Sequence, residues 1–209
     1  MRQTLAIATL CLVGCAKEPA KKDTTVTTTT ASPNPNPNPN PNPNPTPTPT
    51  PTPTPSPLRV LSTPGSIAIG NPPPDFSARA HDGTDVHLAA LKGKTVVVYF
   101  YPKDETPGCT KEACAFRDAW STLRDKGVVL IGVSGDTDAS HKDFAEHHKL
   151  PFLLVSDPKG ELAGAFGVPF TVGYAGRQSF VIAKDGKLKK IYRKVQVATH
   201  AQEIAEDVK

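Results

Sequence analysis

Apolar and polar segments alternate along the C-terminal part of the chain in a way that predicts strands followed by helices. Two continuous runs of β-branched and aromatic residues, 94–101 (KTVVVYFY) and 128–134 (VVLIGVS), are typical of strands buried on both faces. Between them, apolar residues recur at helical spacing over 109–127, and the glycine at the end of that range is a helix stop. A second amphipathic helix is predicted over 138–149.

The rest of the pattern predicts shorter elements. They are an early hairpin of 76–80 with 85–88, a strand at 152–156, a helix at 161–166, a hairpin of 178–183 with 188–193, and a last helix at 200–208. Strand, helix, strand, helix, then a hairpin and a helix is the order of a thioredoxin-like α/β fold. We expect a central mixed sheet flanked by helices, with an N-terminal β-hairpin.

The first residues resemble an export signal. A positive start is followed by the apolar run 5–13, which is too short for a membrane-spanning helix of about 20 residues. The run ends in Leu12-Val13-Gly14-Cys15, which resembles the lipobox of bacterial lipoproteins. That resemblance implies a signal peptide over 1–14, acylation of Cys15, and an exported protein held by a lipid anchor on the periplasmic or cell-surface side of a bacterial membrane. A plain secretory signal is the alternative.

Residues 15–65 are expected to form a disordered tether before a domain at 66–209. Every odd position from Pro33 to Pro57 is proline, which accounts for 13 of the 23 prolines. Alternating proline favours polyproline II, so this stalk would extend about 75 Å at about 3.1 Å per residue. We interpret it as a spacer, and a ligand for a proline-binding module is the alternative.

Charge and histidine content narrow the classes of partner. The net charge is +4, and lysines and acids are interspersed without a long basic run, which excludes a nucleic-acid surface. His141, His147 and His148 lie on the predicted helix 138–149, but zinc or copper needs softer or better spaced ligands. We interpret these histidines as part of a solvated helix surface and expect neither a metal nor a cofactor.

Two of the four cysteines remain as thiols once the leader is set aside. Cys11 lies in the apolar run and Cys15 would be acylated, which leaves Cys109 and Cys114. On one helix, residues five apart have Cα atoms roughly 8 to 9 Å apart, whereas a disulfide needs less than about 7 Å. A bond between the two therefore requires the helix start to unwind. This favours a switching redox pair over a structural bridge.

The position of Cys109 favours its thiolate. The first turn of a helix carries unpaired N–H groups and the positive end of the dipole, both of which stabilise an anion. Cys114, deeper in the helix, has no such help, so position selects Cys109 as the nucleophile. Asp104 and Glu105 would oppose this charge if they pointed inward, and we expect both to face solvent.

The segment 99–118, YFYPKDETPGCTKEACAFRD, resembles the active-site region of peroxiredoxins. It carries the signature P-x-x-x-T-x-x-C as Pro102, Thr106 and Cys109. A second cysteine five residues later is similar to the bacterioferritin comigratory protein (peroxiredoxin Q) subfamily. The similarity runs from about residue 70 to the C-terminus.

The resemblance implies a role for five residues. Cys109 matches the peroxidatic cysteine and Cys114 the resolving cysteine, so that the two would form a Cys109–Cys114 disulfide. Thr106 matches the hydroxyl that hydrogen-bonds the thiolate and the peroxide. Arg177, in G-R-x-S-F, matches the arginine that stabilises the thiolate and orients the peroxide. Pro102 matches the proline that shields the thiolate from solvent.

The implied activity is thiol-dependent reduction of hydrogen peroxide and organic hydroperoxides, as an antioxidant defence. Cys109 would become a sulfenic acid that condenses with Cys114, and a thioredoxin-like or other thiol reductant would open the disulfide. Because this disulfide lies within one chain, we expect a monomer. Three alternatives stay open: an exported thioredoxin-like thiol–disulfide oxidoreductase, which normally shows C-x-x-C; a copper carrier, which wants C-x-x-x-C; and a binding module on a stalk.

Overall fold

The computed structural model of the chain describes residues 58–63 and 65–208. The predicted signal peptide, the stalk at 33–57, Cys11 and Cys15 lie outside the described residues. None of the helices in the described part is long and apolar enough to cross a bilayer.

The centre of the domain is a five-stranded mixed sheet in the order β10-β9-β4-β5-β6. Its strands are β4 (Thr95–Phe100), β5 (Val128–Ser134), β6 (Leu153–Ser156), β9 (Gln178–Ile182) and β10 (Leu188–Tyr192). The strand β4 pairs in parallel with β5, and β5 with β6, whereas β9 runs antiparallel to both β4 and β10. Every residue of β4 is buried, because helices or the N-terminal strands cover both faces of the sheet. The predicted mixed sheet is confirmed.

Five α-helices, beside a short 3-10 helix at Leu88–Leu91, complete the described part of the fold. They are α1 (Pro107–Asp118), α2 (Trp120–Asp125), α3 (Asp138–His148), α4 (Glu161–Ala165) and α5 (His200–Asp207). The single helix predicted over 109–127 is wrong, because the chain breaks at Ala119 into α1 and α2. The α1 helix packs against α5 and α2 packs against β5, so packing overrides a continuous apolar pattern.

The N-terminal hairpin is confirmed and extended by one strand. It consists of β2 (Asp75–Arg79) and β3 (Asp85–His87), and β1 (Arg59–Ser62) pairs antiparallel with β2. The ordered structure thus begins before residue 66, where the domain was predicted to start. Val60 packs against the core, which holds this short strand in place although its sequence alone is too short to predict one.

The two faces of the sheet contact two separate apolar cores. Phe76, Phe100, Phe166 and Phe180 lie on the side of the N-terminal hairpin and α4. The opposite core contains Tyr99, Phe116, Phe144, Phe152 and Ile204, which lie where α1, α3 and α5 cover the sheet. The start of α1 is therefore held at the carboxyl end of β4 by packing on its buried face.

A short hairpin that the sequence pattern did not predict lies beside β5. It is formed by β7 (Phe170–Thr171) and β8 (Tyr174–Ala175). Gly135 follows β5 and approaches the turn of this hairpin so closely that a Cβ there would clash with the carbonyl oxygen of Gly173. A side chain at this position would displace the backbone of the hairpin.

We therefore expect Gly135→Ala to lower the free energy of unfolding by about 1–3 kcal/mol, because the added methyl group overpacks against backbone. Urea unfolding followed by circular dichroism measures the change. Gly164→Ala is the matched control, since a Cβ there meets nothing within 4 Å; removing a helical glycine should stabilise the protein by roughly 0.5–1 kcal/mol. Equal stability of Gly135→Ala and the native protein would contradict the close approach.

Candidate active site

Cys109 lies in the first turn of α1, as the sequence predicted. Thr106 precedes the helix in an extended conformation and Pro107 is its first residue, a position where the missing N–H of proline costs nothing. The N–H of Thr110 donates to the Thr106 carbonyl at 2.8 Å and is the first such helical bond. The N–H groups of Gly108 and Cys109 precede it and so have no intrahelical acceptor. The Cys109 side chain is buried, with 2% of its surface exposed.

Arg177, the residue just before β9, contacts the sulfur of Cys109. Its Nη2 donates to Sγ over 3.1 Å, and its Nη1 pairs with Oε2 of Glu112. The register explains this approach: Gln178, the next residue, pairs with Phe100 at the end of β4. Two sequence-predicted residues that lie 68 positions apart are thus in direct contact.

Glu112 is a site residue that the sequence analysis missed. It lies three residues after Cys109 on the same face of α1, and only 1% of its surface is exposed. Its Oε1 has no hydrogen-bond partner among the described residues. The available signal was its place on the helix face that also buries Ala113 and Phe116, where an acid needs a partner.

For both Glu112 and Arg177, burial and ion pairing shift the pKa in opposite directions. Burial raises the pKa of Glu112 to about 7, and the nearby Arg177 guanidinium only partly offsets the rise. The pKa of Arg177 is raised as well: desolvation lowers it, but the adjacent Glu112 and Cys109 outweigh that effect. Since Glu112 is the more deeply buried partner, we take the cost of its ionisation as the dominant effect.

Cys114 lies on α1 and is half-buried, and both described cysteines are free thiols. On a regular helix, side chains five positions apart point in directions that differ by about 140°. A Cys109–Cys114 bond therefore requires the first turn of α1 to open. Both cysteines therefore lie on one regular helix, as the sequence analysis assumed when it compared their separation with that of a disulfide.

The other two predicted site residues, Thr106 and Pro102, lie in the segment that precedes Cys109. Oγ1 of Thr106 donates to the carbonyl of Lys103 over 2.9 Å and makes no cap hydrogen bond. Pro102 is half-buried in the loop that follows β4. Their roles toward the sulfur and the peroxide stay predictions.

The prediction that Asp104 faces solvent is wrong, and so is the placement of His141 on a solvated helix surface. Both are buried and paired, with His141 Nδ1 2.9 Å from Asp104 Oδ2. The hydroxyls of Tyr101 and Ser140 each donate to the Asp104 carboxylate over 2.7 Å. A carboxylate with three partners is satisfied inside the protein, which the sequence could not show because the partners lie up to 37 positions away.

The Asp104 network fixes the active-site loop. Burial raises the pKa of Asp104, but hydrogen bonds from His141, Tyr101 and Ser140 outweigh this and hold the pKa below its usual value. Its backbone N–H also donates to Oδ2 of Asp136 over 2.9 Å. The loop is thereby attached to the segment that follows β5.

Glu105 is exposed, as expected, and adopts a left-handed conformation with φ 58°. Its carboxylate contacts His147 and His148 at the end of α3. Within the described residues these three side chains form the one group whose ligand atoms are close enough to share a metal ion.

Comparison with known proteins agrees with this geometry. The sequence profile of the AhpC/TSA family matches residues 69–191. The chain is 47% identical over 130 residues to peroxiredoxin Q, chloroplastic, of Oryza sativa subsp. japonica, covering 61% of this chain and 60% of that protein. It is 44% identical over 151 residues to peroxiredoxin Bcp of Bacillus subtilis (strain 168), covering 69% of this chain and 96% of that protein.

Solved structures show the same fold. Peroxidoxin BcpB from Mycobacterium tuberculosis superposes with a TM-score of 0.63 at 31% identity, covering 68% of this chain and 97% of that one. Peroxiredoxin Q from Xanthomonas campestris gives 0.59 at 32% identity, covering 71% and 95%. The chain therefore belongs to the AhpC/TSA family and, within it, to the peroxiredoxin Q and Bcp group. The predicted thioredoxin-like peroxiredoxin fold is confirmed. The matched region spans about 60% of the length of the chloroplastic relatives.

The comparisons overturn the predicted location. An exported protein with a lipid anchor on a bacterial membrane was expected from residues 1–15, but the relatives are chloroplastic peroxiredoxin Q proteins and Bacillus subtilis Bcp rather than exported lipoproteins. That prediction is wrong. It depended on a short apolar run and the four residues that end at Cys15, and so short a pattern occurs easily by chance. Cys15 itself lies outside the described residues, so its acylation is not tested.

The raised pKa of Glu112 predicts a pH-dependent stability. The folded protein keeps this proton up to about pH 7, whereas an unfolded glutamate releases it near 4.5. Between these values the folded state binds more protons, so stability present below pH 4.5 is lost as the pH rises through about 7, with a slope of up to about 1.4 kcal/mol per pH unit.

Urea unfolding of the native protein and of Glu112→Gln across this pH range checks the prediction. The free energy of unfolding of the native protein should fall with rising pH relative to that of Glu112→Gln. Glu146→Gln is the matched control, because Glu146 is exposed, and its curve should follow that of the native protein. Parallel curves for the native protein and Glu112→Gln would show that burial does not raise this pKa.

Proposed function

We propose that the protein is a thiol-dependent peroxidase that reduces hydrogen peroxide and organic hydroperoxides through Cys109, as an antioxidant defence. The observation that carries the proposal is the contact between the Arg177 guanidinium and the buried Cys109 sulfur at the start of a helix. A cation and unpaired N–H groups at one sulfur favour the thiolate, which is the nucleophilic form.

In the first step, the thiolate of Cys109 attacks one oxygen of the peroxide and the O–O bond breaks. The sulfur is oxidised by two electrons to a sulfenic acid, and the other oxygen leaves as an alkoxide or hydroxide that takes up a proton to give alcohol or water. Negative charge moves from sulfur to the leaving oxygen. Arg177 is placed to stabilise that charge at both stages of the step.

Thr106 and Pro102 have roles consistent with their positions. Because the Thr106 hydroxyl donates its hydrogen to the carbonyl of Lys103, its oxygen is left to accept a hydrogen bond from the peroxide. Pro102, half-buried in the same loop, would limit the access of water to the sulfur. Both residues would orient the peroxide rather than react with it.

In the second step, the thiol of Cys114 attacks the Cys109 sulfenic acid, and water leaves as the disulfide forms. The first turn of α1 has to open for this step, since the two side chains diverge on the closed helix. A thioredoxin-like or other external thiol then reduces the disulfide by exchange. An intramolecular disulfide requires no second copy, so the proposal includes a monomer as the working unit.

The relatives support the substrate class. The solved structure of the Xanthomonas campestris bacterioferritin comigratory protein, 30% identical with a TM-score of 0.59, is described in terms of the alkyl peroxide reduction activity of that protein. The alternative of a thioredoxin-like disulfide oxidoreductase gains no support. The sequence has no C-x-x-C pair, and disulfide exchange does not explain the contact between Arg177 and Cys109. Membrane attachment through Cys15 is not part of the proposal.

Cysteine variants test the two steps separately. Cys109→Ser should abolish peroxide reduction, because the nucleophile is lost. Cys114→Ser should reduce a single equivalent of peroxide per chain and then stop unless a small thiol is added. Loss of hydrogen peroxide, measured by stopped flow with a thiol reductant present or absent, distinguishes these outcomes. Cys11→Ser is the matched control and should turn over like the native protein. Full turnover by Cys109→Ser would refute the assignment.

A further inference from the structure

Glu105, His147 and His148 form a second polar cluster next to the candidate active site. Oε1 of Glu105 lies 3.1 Å from Nδ1 of His147, and Oε2 lies 3.0 Å from Nε2 of His148. One ligand atom from each residue can be chosen so that all three lie within 4.8 Å of one another. Two histidines and a carboxylate converge here from two separate elements, the loop before α1 and the end of α3.

The ligand atoms lie close enough for a tetrahedral divalent ion to bind after a small closure. Zinc binds imidazole nitrogen and carboxylate oxygen at about 2.0–2.2 Å, and neighbouring ligands around such an ion are about 3.3 Å apart. Each imidazole lies near that separation from a Glu105 oxygen, but the two contacts use different oxygens, and a set with a single carboxylate oxygen lies within 4.8 Å. The ligands would therefore close around an ion, and three of them would leave a fourth position for water.

One member of the cluster is held in place by the surrounding fold. The ring of His148 is 16% exposed and packs edge-on against Phe144, with ring centroids 5.0 Å apart. Its carbonyl accepts a hydrogen bond from Arg117 of α1 over 3.0 Å. The ring of His147 stacks on that of His148 at 4.4 Å. The side chains of His147 and Glu105 are 70% and 49% exposed, so they can move to close around an ion beside the packed His148 ring.

We propose that Glu105, His147 and His148 bind a divalent transition-metal ion of the Zn²⁺ type, which ties the active-site loop to the end of α3. The sequence pattern did not indicate this site, because the carboxylate lies 42 and 43 positions before the two imidazoles. The competing interpretation is a metal-free bridge, in which both imidazoles are hydrogen-bonded to the Glu105 carboxylate. That bridge needs the imidazole protons that a metal would displace.

A bound ion would affect the reaction of Cys109 and Cys114, and this consequence rests on the proposed function. Glu105 immediately precedes Thr106, the residue that caps the start of α1 at Pro107. An ion held between Glu105 and α3 would restrain this loop and oppose the opening of the first turn. Disulfide formation between Cys109 and Cys114 needs that opening, whereas attack on the peroxide does not. Bound metal should therefore slow the second step alone.

Binding is tested without any peroxide chemistry. Zn²⁺ is titrated calorimetrically into the full-length chain after its thiols have been alkylated, so that cysteine cannot contribute a ligand. One ion should bind per chain. His147→Gln and Glu105→Gln should each weaken binding by at least about tenfold, the lower limit seen even for lost outer-shell partners. His87→Gln, an exposed histidine on β3, is the matched control and should bind like the native protein.

Circular dichroism verifies that the variants are folded. No binding by the native chain, or equal binding by His147→Gln and the native chain, would overturn the proposal. The metal-free hydrogen-bonded bridge would then explain the contacts. Because no peroxide is present, this result does not depend on whether the protein is a peroxidase.

The loop restraint is tested separately in the reduced protein. After one equivalent of peroxide, the rate of disulfide formation is followed with and without Zn²⁺. The metal should slow it several-fold in the native protein but not in His147→Gln. Equal slowing in both would mean that zinc acts on the thiols directly, and no slowing in the native protein would mean that the ion does not restrain the loop; either result overturns the coupling.

Discussion

The contact between a cation and a buried sulfur is the interaction on which the candidate site depends. Arg177 immediately precedes β9, and the register of β9 with β4 brings Gln178 opposite Phe100, so Arg177 lies beside the start of α1. A shift in that pairing would move Arg177 away from the sulfur. The fold therefore specifies the chemistry through strand register, and the helix start adds N–H groups without intrahelical acceptors near Cys109.

The surroundings of this contact show how the protein accommodates acids near the buried sulfur. Glu112 binds the other arm of Arg177, so it positions the guanidinium, but its burial raises its pKa to about 7 and lowers its charge near neutrality. Asp104 keeps its charge because His141 and two hydroxyls bind it. Both acids stabilise the geometry of the loop and helix, at different costs of desolvation.

The sequence predicted the parts of this arrangement that follow from local pattern. Continuous β-branched runs indicated β4 and β5, and the helical spacing of apolar residues from 109 onward indicated Cys109 at a helix start. It failed where long-range packing decides: the break at Ala119, the early strand β1, and the burial of Asp104 with His141. Arg177 was found only through a resemblance, because no local rule joins two residues 68 positions apart. The leader suggested a location that the relatives contradict.

The rate at which peroxide oxidises Cys109 tests the central claim most directly. Single-turnover oxidation is measured by stopped flow in the native protein, in Arg177→Ala and in Arg124→Ala, whose arginine is exposed on α2 and pairs with Asp125. Loss of a positioned donor to the developing charge should slow the oxidation by about 10²-fold or more in Arg177→Ala and leave Arg124→Ala unchanged. Oxidation of Arg177→Ala at the native rate would contradict the account, because the guanidinium would then contribute nothing to the reacting sulfur.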